Sequence, residues 1–208
     1  MVNIKICGLR RKEDVQYVNE FLPEYVGFVF AKSKRQVSID EAIELTKTID
    51  SNIKKVGVFV DTQIDFIIEA IKRCGLKVLQ LHGNESAEYV NKLKSLIPHE
   101  KYIWKAVKAD ENEIERCKEY DVDTFLIDAF TKDSFGGSGK VFDWELALCA
   151  KRYGRIIVAG GLNEENVEEA IEKTMPYAVD VSSGVETNGV KDKEKIKNFI
   201  YRIRYNTY

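Results

Sequence analysis

Apolar positions in this chain alternate between two patterns. Short runs rich in Val, Ile and Phe occupy Val2–Cys7, Tyr25–Phe30, Lys55–Val60, Val78–His82, Tyr102–Val107, Thr124–Asp128, Arg155–Ala159 and Ala178–Ser182. They are too short for helices and read as buried strands. The stretches between them have helical spacing. Across Ile64–Cys74, residues Ile64, Ile67, Ile68 and Ile71 share one face, while Asp65, Glu69 and Lys72 share the other. Ser38-Ile-Asp-Glu41 has the form of a capping box, in which the serine oxygen takes one orphan N–H and the glutamate reaches back. Asp61 or Thr62, Asp143 and Asn163 are further N-cap candidates.

Eight strand–helix units share 208 residues, about 26 each. Strict alternation implies a parallel sheet with right-handed crossovers. Eight such units close into a (β/α)8 TIM barrel of the phosphate-binding type, a single domain over residues 1–208. An open doubly wound sheet is the competing layout, but it favours a glycine fingerprint after the first strand, and Gly8-Leu-Arg-Arg11 supplies none. No linker or low-complexity tract marks a second domain.

Composition narrows the partners. A hydrophobic fraction of 44% supports a packed core. With 32 Lys+Arg against 34 Asp+Glu and no basic cluster, nucleic acid is not an expected partner. No apolar run approaches the ~18 residues of a membrane span. The opening MVNIKICG has no basic region, apolar core or cleavage site of a secretory signal. Cysteines at 7, 74, 117 and 149 form no CxxC pair, so free thiols in the cytoplasm are expected, with no metal site.

In such a barrel, chemistry collects at the C-terminal strand ends. Strand alternation places Ile4, Ile6, Leu79, Leu81, Phe125, Ile127, Val179 and Val181 outward, against the helices. Asn3, Lys5, Cys7, Gln80, His82, Leu126, Asp128, Asp180 and Ser182 then point inward. Buried polar groups are costly unless paired or used. One such residue is an ordinary satisfied contact; their convergence on one end marks a site. Gly160 and Gly161 end the seventh unit's strand, and Ser182-Ser183-Gly184 follows the eighth. Small residues there admit a phosphate to backbone N–H groups, at the usual phosphate position of this fold. Gly136-Gly-Ser-Gly139, in the long loop beyond Asp128, reads as part of a mobile active-site loop.

Eight motifs now stand in order: Lys5-Ile-Cys-Gly8; Val26-Gly-Phe-Val-Phe30 with Ser33-Lys-Arg-Gln-Val-Ser38; Val56-Gly-Val-Phe-Val60; Leu79-Gln-Leu-His-Gly83; Leu126-Ile-Asp128; Gly136-Gly-Ser-Gly139 with Phe142-Asp-Trp144; Gly160-Gly-Leu162 with Glu165-Asn-Val167; and Val179-Asp-Val-Ser-Ser-Gly-Val-Glu186. Over residues 5 to about 200 the chain closely resembles the phosphoribosylanthranilate isomerases of tryptophan biosynthesis. The resemblance implies a metal- and cofactor-free Amadori rearrangement of a small phosphoribosyl substrate, N-(5-phosphoribosyl)anthranilate. It implies Cys7 as general base and Asp128 as general acid, with Arg35 and His82 touching substrate and Asp180 near the anilino group. Phosphate would lie against Gly160, Gly161 and Ser182–Gly184. The chain departs from the family pattern at Arg10, where Thr or Asn is common, and at Glu164 and Asn188, where Pro is usual.

The chemistry suits those residues. Ring opening needs a proton on the ring oxygen, and a carboxylic acid in a partly dry mouth can give it. A thiol can take the C2′ proton, with its pKa lowered by cations such as Lys5 or Arg10. The Arg35 fork matches the anthranilate carboxylate. The sister isomerase of histidine biosynthesis would want an acid in place of Cys7 and a second glycine-rich phosphate turn, yet the third run ends Val60-Asp61-Thr62. A non-catalytic phosphate-binding module would not need Cys7 and Asp128. A metal-dependent lyase would need tighter ligand spacing than His82, Asp128 and Asp180 offer. Phe21, Leu22, Tyr201, Tyr205 and Tyr208 could make a homodimer patch or pack on the barrel.

Overall fold

A computed structural model describes residues 2–128 and 144–205. Eight parallel strands close into a barrel in sequence order, with β1 (Asn3–Cys7) paired to both β2 (Tyr25–Val29) and β8 (Ala178–Val181). Between them run β3 (Lys54–Phe59), β4 (Val78–Leu81), β5 (Tyr102–Lys108), β6 (Thr124–Asp128) and β7 (Arg155–Ala159). The helices are α1 (Lys12–Phe21), α2 (Ile39–Thr46), α3 (Ile64–Cys74), α4 (Ala87–Leu96), α5 (Glu111–Glu115), α6 (Trp144–Ala150), α7 (Val167–Thr174) and α8 (Lys193–Tyr205). The expected (β/α)8 barrel is the observed one.

The alternation expected along the strands builds two apolar layers. Ile4, Ile6, Leu79, Leu81, Phe125, Ile127, Val179 and Val181 join the helices in a continuous outer core. Tyr25, Val56, Val78, Trp104, Leu126, Ile157 and Ala178 fill the barrel interior. That plug occupies the lower barrel, and the polar inward residues stand above it toward the C-terminal rim. It is sealed by aromatic contact, with the Tyr25 and Trp104 rings edge to face at 4.9 Å.

Several boundaries differ from expectation. Phe30, Val60, His82 and Ser182 lie one residue beyond the ends of their strands, so His82 and Ser182 are loop residues. The Ser38–Glu41 capping box forms as expected. Neither Asp61 nor Thr62 caps α3, because Gln63 holds the N-cap position. Asp61 instead adopts a left-handed φ of 45° and accepts from the Asn84 N–H, tying the β3 loop to the β4 loop. Asn163 accepts from the N–H groups of Glu165 and Asn166, a turn that precedes α7 and delays its start to Val167. The fifth helical unit is short and tightens into a 3-10 turn at Arg116–Glu119. The Asp143 cap, the Gly136–Gly139 loop and Tyr208 fall outside the described residues.

At the far edge of α8, Tyr201 stacks edge-on against Phe21 at 6.4 Å and against Tyr205 at 5.1 Å. Phe21 is buried, whereas Leu22, Tyr201 and Tyr205 are exposed. Among the described residues no helix is long and apolar enough to cross a membrane.

Candidate active site

Cys7 ends β1 at the C-terminal rim and is buried. Its neighbour across the sheet is Gly27 of β2. A β-carbon at Gly27 would sit 2.7 Å from Cys7 Sγ and 3.3 Å from Lys5 Cε, so this glycine makes the space that the thiol and the lysine share. Below the thiol, Lys5 is fully buried, and its ammonium donates to Asp180 Oδ1 of β8 at 2.9 Å. The pairing follows from register, which sets Lys5 opposite Asp180.

Burial pushes the Cys7 thiol above its usual range; Lys5 and Lys191 pull it down, but Asp180 adds to the rise. The expected lowering by cations is therefore corrected: burial outweighs them. The Arg10 guanidinium donates to Gly189 O at 3.0 Å. The Lys5 pKa is raised as well, but here the rise favours the charged form. Burial opposes its charge, yet Asp180 and Cys7 prevail and hold its pKa above the ordinary lysine value.

Across the mouth, Asp128 ends β6 and keeps 27% of its side chain exposed. His82 Nε2 lies 3.2 Å from Asp128 Oδ2, and His82 Nδ1 lies 2.8 Å from Gln80 Nε2. His82, expected against substrate, thus faces the carboxyl. Both line a cavity of about 270 Å³ bounded by the loops after β3, β4 and β5. The β4 loop is pinned from outside the barrel. Lys105 of β5, only 3% exposed, donates to Glu85 at 3.0 Å and to Gly83 O at 2.8 Å. Glu85 in turn accepts from the N–H groups of Asp61 and Gly83.

The two glycine turns lie together. Gly160 and Gly161 have φ of +88° and +69°, a region that side chains resist. Asn166 donates to Gly161 O at 3.1 Å, holding the turn. A β-carbon at Gly184 would collide with Leu162 O, so glycine is required where the β8 turn crosses the β7 turn. The Ser182 hydroxyl donates to Cys7 O at 3.0 Å, tying this turn to the thiol's strand.

Arg35 reaches in from the β2 loop over Gly8, where an added β-carbon would lie 2.5 Å from Arg35 Cδ. Its Nε and one terminal nitrogen donate to Glu186, both at 2.7 Å. The second terminal nitrogen has no acceptor among the described residues. Lys191, buried in the hairpin of β9 (Glu186–Thr187) and β10 (Val190–Lys191), donates to the same carboxylate at 2.7 Å and to Ser182 O at 2.9 Å. Burial works against the Glu186 charge, but the two cations outweigh it and hold its pKa at about 2. At the hairpin tip Asn188 has φ of 53°, which a proline ring forbids. The departure from Pro at this position accordingly sets a different turn.

Gly27, Glu186, Lys191 and the Lys105–Glu85 pair were not assigned from sequence. Glu186 and Gly27 lie inside quoted motifs, and that adjacency was the available signal. Lys105 faces the helices, where lysine is rare, and nothing in the strand pattern marks it.

The family model for N-(5'phosphoribosyl)anthranilate (PRA) isomerase matches residues 4–202. An N-(5'-phosphoribosyl)anthranilate isomerase of Acetivibrio thermocellus is 52% identical over 210 residues, covering 98% of this chain and 96% of the relative. One from Thermoanaerobacter sp. is 49% identical over 205 residues, 98% of each chain. The solved phosphoribosyl anthranilate isomerase of Thermotoga maritima superposes with a TM-score of 0.86 at 38% identity, over 99% of this chain and 100% of that one. A structure of such an isomerase in complex with reduced 1-(o-carboxyphenylamino)-1-deoxyribulose 5-phosphate gives 0.84 at 35% identity, with the same coverage. By its sequence over nearly the whole length and by its barrel, the chain belongs to the N-(5'-phosphoribosyl)anthranilate isomerase family.

Proposed function

We propose that this protein isomerises N-(5'-phosphoribosyl)anthranilate by acid–base catalysis, with Asp128 as the acid and Cys7 as the base. The observation that carries the assignment is the order of groups on the rim. Cys7 on β1 and Asp128 on β6 are separated by β7 and β8, and the glycine turns of those two strands lie between them. A phosphate held at Gly160, Gly161 and Ser182–Gly184 sets the attached ribose between the two proton carriers.

Asp128 gives its proton to the furanose ring oxygen as the C1′–O bond breaks. The anilino nitrogen supplies the electron pair and becomes a protonated Schiff base. Asp180, beside the thiol, offsets that positive charge. Cys7 in its thiolate form removes the C2′ proton, the C–H pair forms the enolamine double bond, and the electrons return to nitrogen. Tautomerisation to the ketone completes the rearrangement. The free terminal nitrogen of Arg35 binds the anthranilate carboxylate while Glu186 holds the rest of the fork. Burial of Cys7 keeps its thiolate a minor form in the free enzyme, and any thiolate that does form is poorly hydrated and strongly basic.

The test is a fluorescence assay with substrate formed in place by excess phosphoribosyltransferase, in the presence of EDTA. Rapid loss of substrate with the wild-type protein, and almost none with Cys7→Ala, is expected. Decay no faster than spontaneous hydrolysis would overturn the assignment.

A further inference from the structure

Gln80 stands just above the apolar plug, 1% exposed, with Val58 and Trp104 as its neighbours across the sheet. Its carbonyl oxygen is buried and has no hydrogen-bond partner among the described residues. A buried amide with half its capacity unused is unfavourable, and the barrel would pack better with leucine. Among the described residues the amide engages His82 Nδ1, at 2.8 Å. With its NH2 group facing the ring, Gln80 donates to Nδ1, and a neutral ring then carries its proton on Nε2. That N–H points at Asp128 Oδ2, 3.2 Å away. In that orientation the donors run in one direction, from Gln80 through His82 to Asp128.

We infer that Gln80 and His82 are positioning residues for the acid: Gln80 selects the Nε2–H tautomer of His82, and that N–H holds Oδ2 of Asp128. The other carboxyl oxygen then carries the proton delivered to the ring oxygen. As the proton leaves, the developing carboxylate charge is shared with the waiting N–H, a donor already in place before reaction. The opposite amide orientation would accept from Nδ1–H and leave Nε2 as an acceptor, so that a protonated Asp128 would donate to the ring rather than to substrate. The consequence for turnover rests on the reading of Asp128 as the acid, given above; the tautomer does not.

The chain has two histidines, His82 and His99, so ring ¹⁵N resonances are assignable with a His99→Gln variant. In the wild-type protein the His82 signals should show a protonated Nε2 and a bare Nδ1. Gln80→Leu should lose that preference and lower kcat on the order of ten-fold or more with little change in KM, the range seen when an orienting partner is lost. His82→Gln, whose amide reaches the Nε2 position, should keep more activity than His82→Ala. Adding Gln80→Leu to His82→Ala should cost nothing further. A wild-type Nδ1–H tautomer, or Gln80→Leu with unaltered tautomer and kcat, would overturn the inference. Full activity of Asp128→Asn, with the Nε2–H tautomer intact, would instead remove the acid assignment and leave the tautomer standing.

Discussion

The two sides of the barrel mouth are built on different electrostatic plans. On the β1–β8 side, Cys7, Lys5, Asp180, Glu186 and Lys191 are all buried or nearly so, each charge facing an opposite one within 3 Å. On the β4–β6 side, His82 and Asp128 keep 32% and 27% of their side chains exposed and open onto a cavity. A base that must remove a carbon-bound proton gains from a dry setting, where a thiolate is unsolvated. An acid must be reprotonated each cycle, and contact with water provides that.

The comparison can be broken most directly at the two residues proposed as proton carriers. Asp128→Asn should lower kcat by about 10²–10⁴-fold while substrate binding persists, read by steady-state kinetics and by ligand titration. Wild-type turnover in that variant would remove the acidic side from the mechanism. Lys5→Met should test the dry side: leaving Asp180 buried and unpaired should cost about 3–5 kcal/mol in denaturant unfolding. Replacing both members with Met and Leu should recover much of it. A loss under 1 kcal/mol for Lys5→Met would mean that water enters the pair.

Reactivity gives a smaller, sharper contrast. Iodoacetamide at neutral pH should label exposed Cys149 well before Cys7, because burial hinders access and raises the Cys7 pKa. Faster labelling of Cys7, located by peptide mapping, would contradict a dry thiol. The smallest effect is acid sensitivity from Glu186. Its carboxyl sits at about 2 when folded against an ordinary 4.5, so its contribution is full above about 4.5 and is lost as pH falls toward 2. Glu186→Gln should therefore be less stable than wild type at pH 7 and flatter in stability between pH 5 and 2.

The barrel was legible because strand alternation and helix periodicity are local signals, and the residues that face inward follow from alternation alone. Cys7, Asp128 and Asp180 follow from alternation, the two glycine turns from small residues after the last two strands, and all lie at one end of the barrel. What sequence could not reveal is partner choice. Whether Lys5 lowers the Cys7 pKa depends on how much water the fold removes, and burial prevailed. His82 was legible as a mouth residue, but its contacts with Gln80 two residues earlier and Asp128 on another strand depend on the fold. Arg35 was visible as a fork, yet its partner Glu186 lies 151 residues away across the mouth.

The Lys5–Asp180 contact joins residues 175 apart, on the first and last strands of the cylinder. It is therefore a seam, and the thiol beside it has its native surroundings only once the two ends of the chain have met. Contacts of such separation form late, because chain entropy must be surrendered before they repay it. During refolding, secondary structure should return before the protected state of Cys7 does. A circular permutant with its original ends joined would turn this closure into a local event, hastening assembly of the thiol's surroundings without altering a single side chain in them.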